Sequence, residues 1–321
     1  MATTTLTFEQ RRAAFEAKDT PTREVPWIEG YLCLLTVYVA APAVLVCASP
    51  GWPTRSQALL SLAVWWVQMV GVNCGYHRLF SHGSYKAHPA VELCLALMGC
   101  LSGQGGPIWW AGVHRHHHRH CETAQDFHSP HNGQSTLKGL VWAHGLFLAN
   151  YTWPDADKSA NCPDLTSKRW LAVVDDMAAL VFFAWAALCY LAPGGGLLRL
   201  LYGWAIPTFC SWNCEQCINS VLHMYGDRPF TVLEGDGECE ARNNRWLTLA
   251  MLGENWHNNH HAFPWSARQG YGWAQLDLNF CVIWALSKAG LAWDVRSPSA
   301  EERALRLRQP QPRPQGAKKA E

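Results

Sequence analysis

The sequence predicts an all-α membrane protein with four transmembrane helices in two hairpins. Three observations carry that expectation. Of 321 residues 49% are hydrophobic and only 16% charged, where a soluble domain carries roughly 25% charge. The mean hydropathy is nevertheless only -0.11, so the apolar residues must be gathered into segments. Four such segments lie near residues 27–47, 57–76, 171–191 and 197–219. Each is about 20 residues long, the length of helix that crosses a hydrocarbon layer of about 30 Å.

The first two segments are joined by Ser49-Pro50-Gly51-Trp52-Pro53 and the last two by Pro193-Gly194-Gly195-Gly196, so each pair reads as a helical hairpin. A fifth apolar stretch, 90–112, is interrupted by Gly99, Gly103, Gly105, Gly106 and Pro107. Histidine clusters follow the second segment, the broken stretch and the last hairpin. For all three to meet at one site, 90–112 must enter and return, or lie in the interface, without spanning. Lys and Arg fall mostly on the histidine side (Arg11, Arg23, Arg78, Arg115, Arg119 and Lys168 among them), whereas the opposite turns carry little beyond Arg55 and Arg199. The positive-inside rule then places both termini and the histidines in the cytosol. The expected organisation is an N-terminal cytosolic segment 1–26, a membrane-embedded domain 27–296 and a disordered cytosolic tail 297–321.

A net charge of +1 offers no basic stripe for nucleic acid. Thirteen cysteines scattered through apolar stretches argue against a secreted disulfide framework. Residues 1–23 contain no apolar run of the signal-peptide kind.

Nine of the 15 histidines form a pattern: His77 and His82; His114, His117 and His118; His223; His257, His260 and His261. The H-x-x-H-H spacing occurs twice, and positions i, i+3 and i+4 share one helical face, so each triplet can aim three imidazoles at one point. His116 points about 200° away from His114. A competing set of His116, His117 and His120 is geometrically possible, but only His114, His117 and His118 repeat the spacing of His257, His260 and His261. His77 and His82 are about 140° apart on an ideal helix; they converge if the helix frays, or else they serve two metals. His88, His128, His131 and His144 read as ordinary hydrogen-bonded residues. Dense imidazoles are costly to pack unless a cation binds them, and imidazole suits Fe, Zn, Cu or Ni. There is no H-E-x-x-H of a zinc protease.

The ordered motifs Gly75-Tyr76-His77-Arg78-Leu79-Phe80-Ser81-His82, Gln104-Gly105-Gly106-Pro107-Ile108, His114-Arg115-His116-His117-His118, Asn219-Ser220-Val221-Leu222-His223 and Glu254-Asn255-Trp256-His257-Asn258-Asn259-His260-His261 follow one another along the chain. In them the sequence resembles the membrane fatty-acid desaturase family, specifically the delta-9 acyl desaturases of the cyanobacterial and plant branch. The resemblance implies four spans under a cytosolic helical cap that holds a non-haem di-iron site. Its ligands would be the nine histidines, with Asn219 reaching a metal through water. It also implies a reaction with O2 that turns two adjacent methylenes of a saturated acyl chain into a cis double bond, the acyl group arriving on coenzyme A or in a lipid. Glu122, Asp126, Glu254 and Asn258 are candidate partners of the ligating imidazoles. Asn255 and Phe127 depart from the family pattern.

No segment reads as a fused cytochrome b5-like domain, so electrons are expected from a separate cytochrome b5 or ferredoxin. Lys318-Lys319-Ala320-Glu321 resembles a dilysine endoplasmic-reticulum retrieval signal. A desaturase of other regiospecificity, an acyl hydroxylase and a bis-histidine haem electron carrier are the competing functions. A metal transporter would place its polar ligands within the spans; here they follow them.

Overall fold

The computed structural model describes residues 38, 39, 42, 43 and 51–308, apart from 124, 132–134, 151–160 and 235–236. The expected segment 1–26, most of the expected span 27–47 and the dilysine end lie outside the described residues.

Helix α1 runs Arg55–Ser81. It opens on a capping box in which Thr54 Oγ1 accepts from the Gln57 amide and Gln57 Oε1 accepts from the Thr54 amide. Among the described residues it alone is long and apolar enough to cross a membrane. From Gly71 to Ser81 its turns widen to the i→i+5 pattern of a π-helix.

Helix α2, Pro89–Cys100, lies antiparallel against that widened half. A Cβ on Gly71 would overlap the backbone of Met98 and Gly99, and one on Gly75 would press on Leu95. Backbones approach this closely only where side chains are missing. The chain then reverses, and α3, Pro107–His120, also packs on the widened half of α1. The Tyr76 hydroxyl sits in the reversal, 3.3 Å from the Ala96 carbonyl oxygen and 3.2 Å from that of Gly105. Stretch 90–112 is therefore two helices that go out and come back.

The expected span 171–191 is two helices, α4 (Arg169–Asp176) and α5 (Ala178–Leu191), bent by 55°. Asp175 lies in the last turn before the break. Its Oδ1 accepts from the amides of Ile108 (2.8 Å) and Trp109 (2.9 Å), capping the N-terminus of α3, where Pro107 has no N–H to offer. Only together do α4 and α5 reach the length and apolar content of a crossing. Helix α6, residues 197–219, is continuous, but with Arg199, Asn213, Glu215 and Gln216 it is too polar to qualify. It packs along α1, where Ser61 Oγ donates to the Tyr202 carbonyl at 2.7 Å.

Beyond α6 come the turn Val221–Met224, the short helix α7 (His257–Ala262), α8 (Leu278–Lys288) and α9 (Ala300–Arg306). The only sheet among the described residues is two antiparallel two-residue pairs, Lys86–Ala87 with Ala292–Trp293 and Leu233–Glu234 with Gly237–Glu238. Residues 297–308, expected to be part of a disordered tail, are instead tied down. Arg306 donates to the Ala262 carbonyl and stacks on Phe263, and the Arg308 amide donates to the Pro229 carbonyl. Composition hid this because the anchoring arginines bind backbone and aromatic faces, not an apolar core. The scattered cysteines also include one bonded pair, Cys121–Cys239.

The close approach of α1 and α2 is testable. A Cβ at Gly99 would sit inside the Tyr76 ring, so Gly99→Val should cost about 3 kcal/mol by overpacking and lower the melting temperature in detergent. Gly272→Ala, where nothing lies closer than 3.6 Å to the new atom, should leave it unchanged.

Candidate metal centre

Three helix termini meet above the α1–α2–α3 packing. His77 and His82 come from the wide turns of α1. Because each turn there spans five residues, the His82 amide donates to the His77 carbonyl at 3.2 Å and the two rings lie 5.0 Å apart. The helix does not fray, and the pair is not divided between two centres. A π-turn sets residues five apart nearly over each other, which the 140° of an ideal α-helix would not.

All nine histidines of the pattern converge, in two adjoining clusters. One comprises His77, His82, His114, His118 and His260; the other His117, His223, His257 and His261. Within each, the potential ligand nitrogens lie within 4.8 Å of one another. The first is threaded by Nε2 to Nε2 separations of 3.0 Å (His77–His260), 2.9 Å (His118–His260), 3.1 Å (His114–His118) and 2.9 Å (His82–His114). In the second, His257 Nε2 is 3.0 Å from both His223 Nε2 and His261 Nε2. The triplets thus do not aim at one point, as their shared helical face suggested. Each sends its i and i+4 members to one cluster and its i+3 member to the other. His114 and His118 join His260, whereas His257 and His261 join His117.

His116 turns away, as helical phase requires: its Nε2 is 3.0 Å from the Gln125 carbonyl and its ring packs on His120. His88 caps α2, and His144 binds Ser220 and Asn213.

Behind the imidazoles stand carboxylates. Glu254 Oε2 accepts from His77 Nδ1 at 2.9 Å, Glu122 Oε1 from His223 Nδ1 at 2.8 Å, and Asp126 Oδ2 lies 3.2 Å from His117 Nδ1. An imidazole that donates from Nδ1 keeps a lone pair on Nε2. Asn258 exchanges two hydrogen bonds with the main chain of Phe230. Asn219 donates to Gln216 Oε1 at 3.1 Å.

Glu254 is itself held. Arg78, fully buried, donates to Glu254 Oε1 from Nη2 (2.7 Å) and to Asp277 Oδ2 from Nη1 (3.1 Å), while Gln269 and Asn279 also donate to Glu254. Burial alone would raise the Glu254 carboxyl; Arg78 and His77 overcome it and hold it down to about 2. His117 and His128 likewise hold Asp126 well below the carboxylate range against its burial. Gly253 reaches this arrangement with φ +118°, and a Cβ there would strike Asp277.

Burial, then the neighbouring imidazoles, push His82, His114, His257, His260 and His261 well below the usual histidine value. These five rings are therefore disfavoured from relieving their crowding by taking up protons. The His260 Nδ1 atom is buried and has no hydrogen-bond partner among the described residues. Neutral nitrogens turned inward, backed by carboxylates, fit divalent cations, and an all-imidazole set suits a transition metal.

Several participants carried no sequence signal of their own. Arg78, Asp277, Gln269 and Asn279 act through Glu254; His131 Nε2 is 2.7 Å from the His223 carbonyl, and His128 shares Asp126 with His117. The one available hint was the Asp126-x-His128 spacing beside a histidine-rich helix.

Nine imidazoles, six buried and three half-buried, gathered on two adjoining points are the donor set of a histidine-rich metal centre on a helical scaffold. Residues 50–294 match the fatty acid desaturase family model, and the chain belongs to that family. It is 34% identical over 259 residues to a hex-5-enoyl-[acyl-carrier protein] acetylenase of Moorena producens, covering 75% of this chain and 77% of the relative. It is 31% identical over 301 residues to an acyl-CoA 5-desaturase of Anemone leveillei, covering 91% and 90%. To an sn-2 palmitoyl-lipid 9-desaturase of Nostoc sp. it is 35% identical over 243 residues, covering 74% and 81%. The resemblance to cyanobacterial and plant acyl-lipid 9-desaturases is borne out, and membership implies an oxidoreductase acting on fatty acyl chains.

The depressed histidines set a pH dependence. Below about pH 6.5 the unfolded chain binds protons that the folded clusters refuse, so stability is full above that value and is lost as pH falls. Each of the five histidines should contribute on the order of 1 kcal/mol per pH unit. Thermal melting between pH 7.5 and 5 should show the decline beginning near 6.5; a flat profile down to pH 5 would contradict the burial of neutral rings.

Proposed function

We propose that this chain is an oxygen-dependent delta-9 desaturase that introduces a cis double bond into a saturated acyl chain, with acyl-CoA as the favoured form of the substrate. The observation that carries the reading is the pair of clusters, five and four imidazoles, in a chain of the desaturase family. Two non-haem irons would be held by His77, His82, His114, His118 and His260 and by His117, His223, His257 and His261, with Asn219 contributing through water.

When bound, such a centre supplies the oxygen chemistry that breaks unactivated C–H bonds, for which no side-chain base is strong enough. The protein's own residues do the rest. Glu254, Glu122 and Asp126 keep the Nδ1 protons of His77, His223 and His117, which leaves Nε2 as ligand. Arg78 keeps Glu254 ionised. Burial of the rings, His260 at 1% exposure, excludes bulk water and the side reactions it would bring.

Four spans and a cytosolic cap are part of the same proposal. It is supported by the candidate crossing α1, by the bent pair α4 and α5, and by apolar side chains exposed on α5, including Leu180, Phe183, Leu188 and Leu191. Electrons would come from cytochrome b5 or ferredoxin, and residence in the endoplasmic reticulum is part of the same proposal. A double bond at carbon 5 is the second reading, favoured by the similarity to the acyl-CoA 5-desaturase over 301 residues.

Expression in a desaturase-deficient yeast, with fatty acids analysed by gas chromatography and double-bond location, decides among these. The expected product is a 9-cis monoene. A bond at carbon 5 would move the assignment to the second reading, and no new unsaturation from well-expressed protein with a compatible donor would sink both. His260→Ala should abolish iron content and product together, whereas His116→Ala should retain both; iron retained by His260→Ala would refute the ligand set.

A further inference from the structure

The bond between Cys121 and Cys239 joins two buried residues 118 positions apart in the chain. Nine other described cysteines are unpaired. The position of the pair is informative. Cys121 ends α3 directly after the helix turn that carries His117 and His118. The next residue, Glu122, holds His223 Nδ1 at 2.8 Å and accepts from Ser129 Oγ. On the other side, Cys239 Sγ lies 3.4 Å from His261 Nδ1. The sulfur bridge therefore reaches three of the four rings of the second cluster: His117 through its helix, His223 through Glu122, and His261 by direct contact.

Cys239 belongs to the chain that connects the His223 turn to α7, and its amide donates to the Val232 carbonyl at 3.0 Å. The bond ties this connection to the end of α3, with the two Cα atoms 5.6 Å apart. Opened, it leaves a thiol beside His261 Nδ1 and frees the α3 terminus from the connecting chain. A pair on the reducing side of a membrane would not stay oxidised by default, since exchange with cellular thiols sets its state.

We propose that Cys121 and Cys239 form a reversible thiol–disulfide site whose state sets how firmly the four-histidine cluster holds its metal. The proposal rests on the metal reading of that cluster. In the oxidising direction two thiols and one hydrogen peroxide give the disulfide and two waters: the S–S bond forms, the O–O bond breaks, and each thiol gives up one hydrogen. A dithiol reverses it, returning two electrons and two protons and breaking the S–S bond. The disulfide is the metal-retaining state, because it fixes α3 against the segment that presents His261. Reduction loosens that register without removing a ligand.

The test uses full-length, iron-loaded protein in lipid nanodiscs, treated with hydrogen peroxide or with a phosphine reductant. Peptide-resolved alkylation reads the two cysteines, and transfer of iron to a chromogenic chelator reads retention. After peroxide, Cys121 and Cys239 should resist alkylation until reduced, and iron should leave several-fold more slowly than from the reduced protein. The double variant Cys121→Ser/Cys239→Ser should release iron at the reduced rate, indifferent to either reagent. Alkylation of both cysteines after peroxide would overturn the pair. A pair that forms while release rates stay equal would overturn the switch. Both comparisons are within wild-type protein, so they stand if the double variant does not fold. Protein that shows the pair but never takes up iron would refute the metal reading itself, and the switch with it.

Discussion

The structure depends on one constraint: nine imidazoles must be held with their nitrogens turned towards each other. Packing like dipoles together is unfavourable, and for His82, His114, His257, His260 and His261 burial opposes protonation, the usual escape for a crowded histidine. Such an arrangement persists only when its surroundings determine it more strongly than it resists. Each element around the clusters supplies part of that determination, and several are built in ways that make little sense for a helical bundle alone.

The support is layered from the packing of α1 on α2 towards the clusters. Missing side chains at Gly71, Gly75 and Gly99 let α2 approach α1 closely, which brings the reversal at Tyr76 near enough for α3 to return beside His77 and His82. Asp175 fixes the start of α3, and a helix anchored at its N-terminus presents the ring positions of its last turns predictably. The buried ion network of Arg78, Glu254 and Asp277 is weak evidence for stability, since burying charges costs much of what their attraction returns. Its value is positional. Arg78 is the immediate neighbour of His77, and through Glu254 it reaches round to the far side of the same ring. One residue therefore sets both the backbone and the proton of its neighbour.

The sequence made the nine histidines legible because their spacing repeats, and repetition is hard to produce by chance in a chain of this composition. Helical phase also set His116 and His120 apart. What it could not convey was pitch. The 140° between His77 and His82 assumes 3.6 residues per turn, whereas the chain widens to i→i+5 there. It also could not convey partners distant in sequence: the Ile108 and Trp109 amides bound by Asp175, the Phe230 main chain bound by Asn258, and the Ala262 carbonyl bound by Arg306. Each is a contact whose other half lies elsewhere in the chain. Hydropathy gave the lengths of the apolar segments but not the bend at Met177.

The interleaving of the two H-x-x-H-H motifs carries the final step. Were each triplet devoted to one cluster, the two centres would be set apart by whatever loops join α3 to α7, and loops are the most yielding part of a fold. Because each triplet instead divides between them, the offset between the clusters is built into a single helical turn, twice over. In α3 it is the step from His117 to His114 and His118; in α7 it is the step from His260 to His257 and His261. The stacking of His118 on His261, with ring centres 4.2 Å apart, joins the two clusters where those helices face each other. A rise of 1.5 Å per residue cannot stretch. Two centres acting on one small molecule would therefore have their offset set by helical geometry and not by the connecting loops.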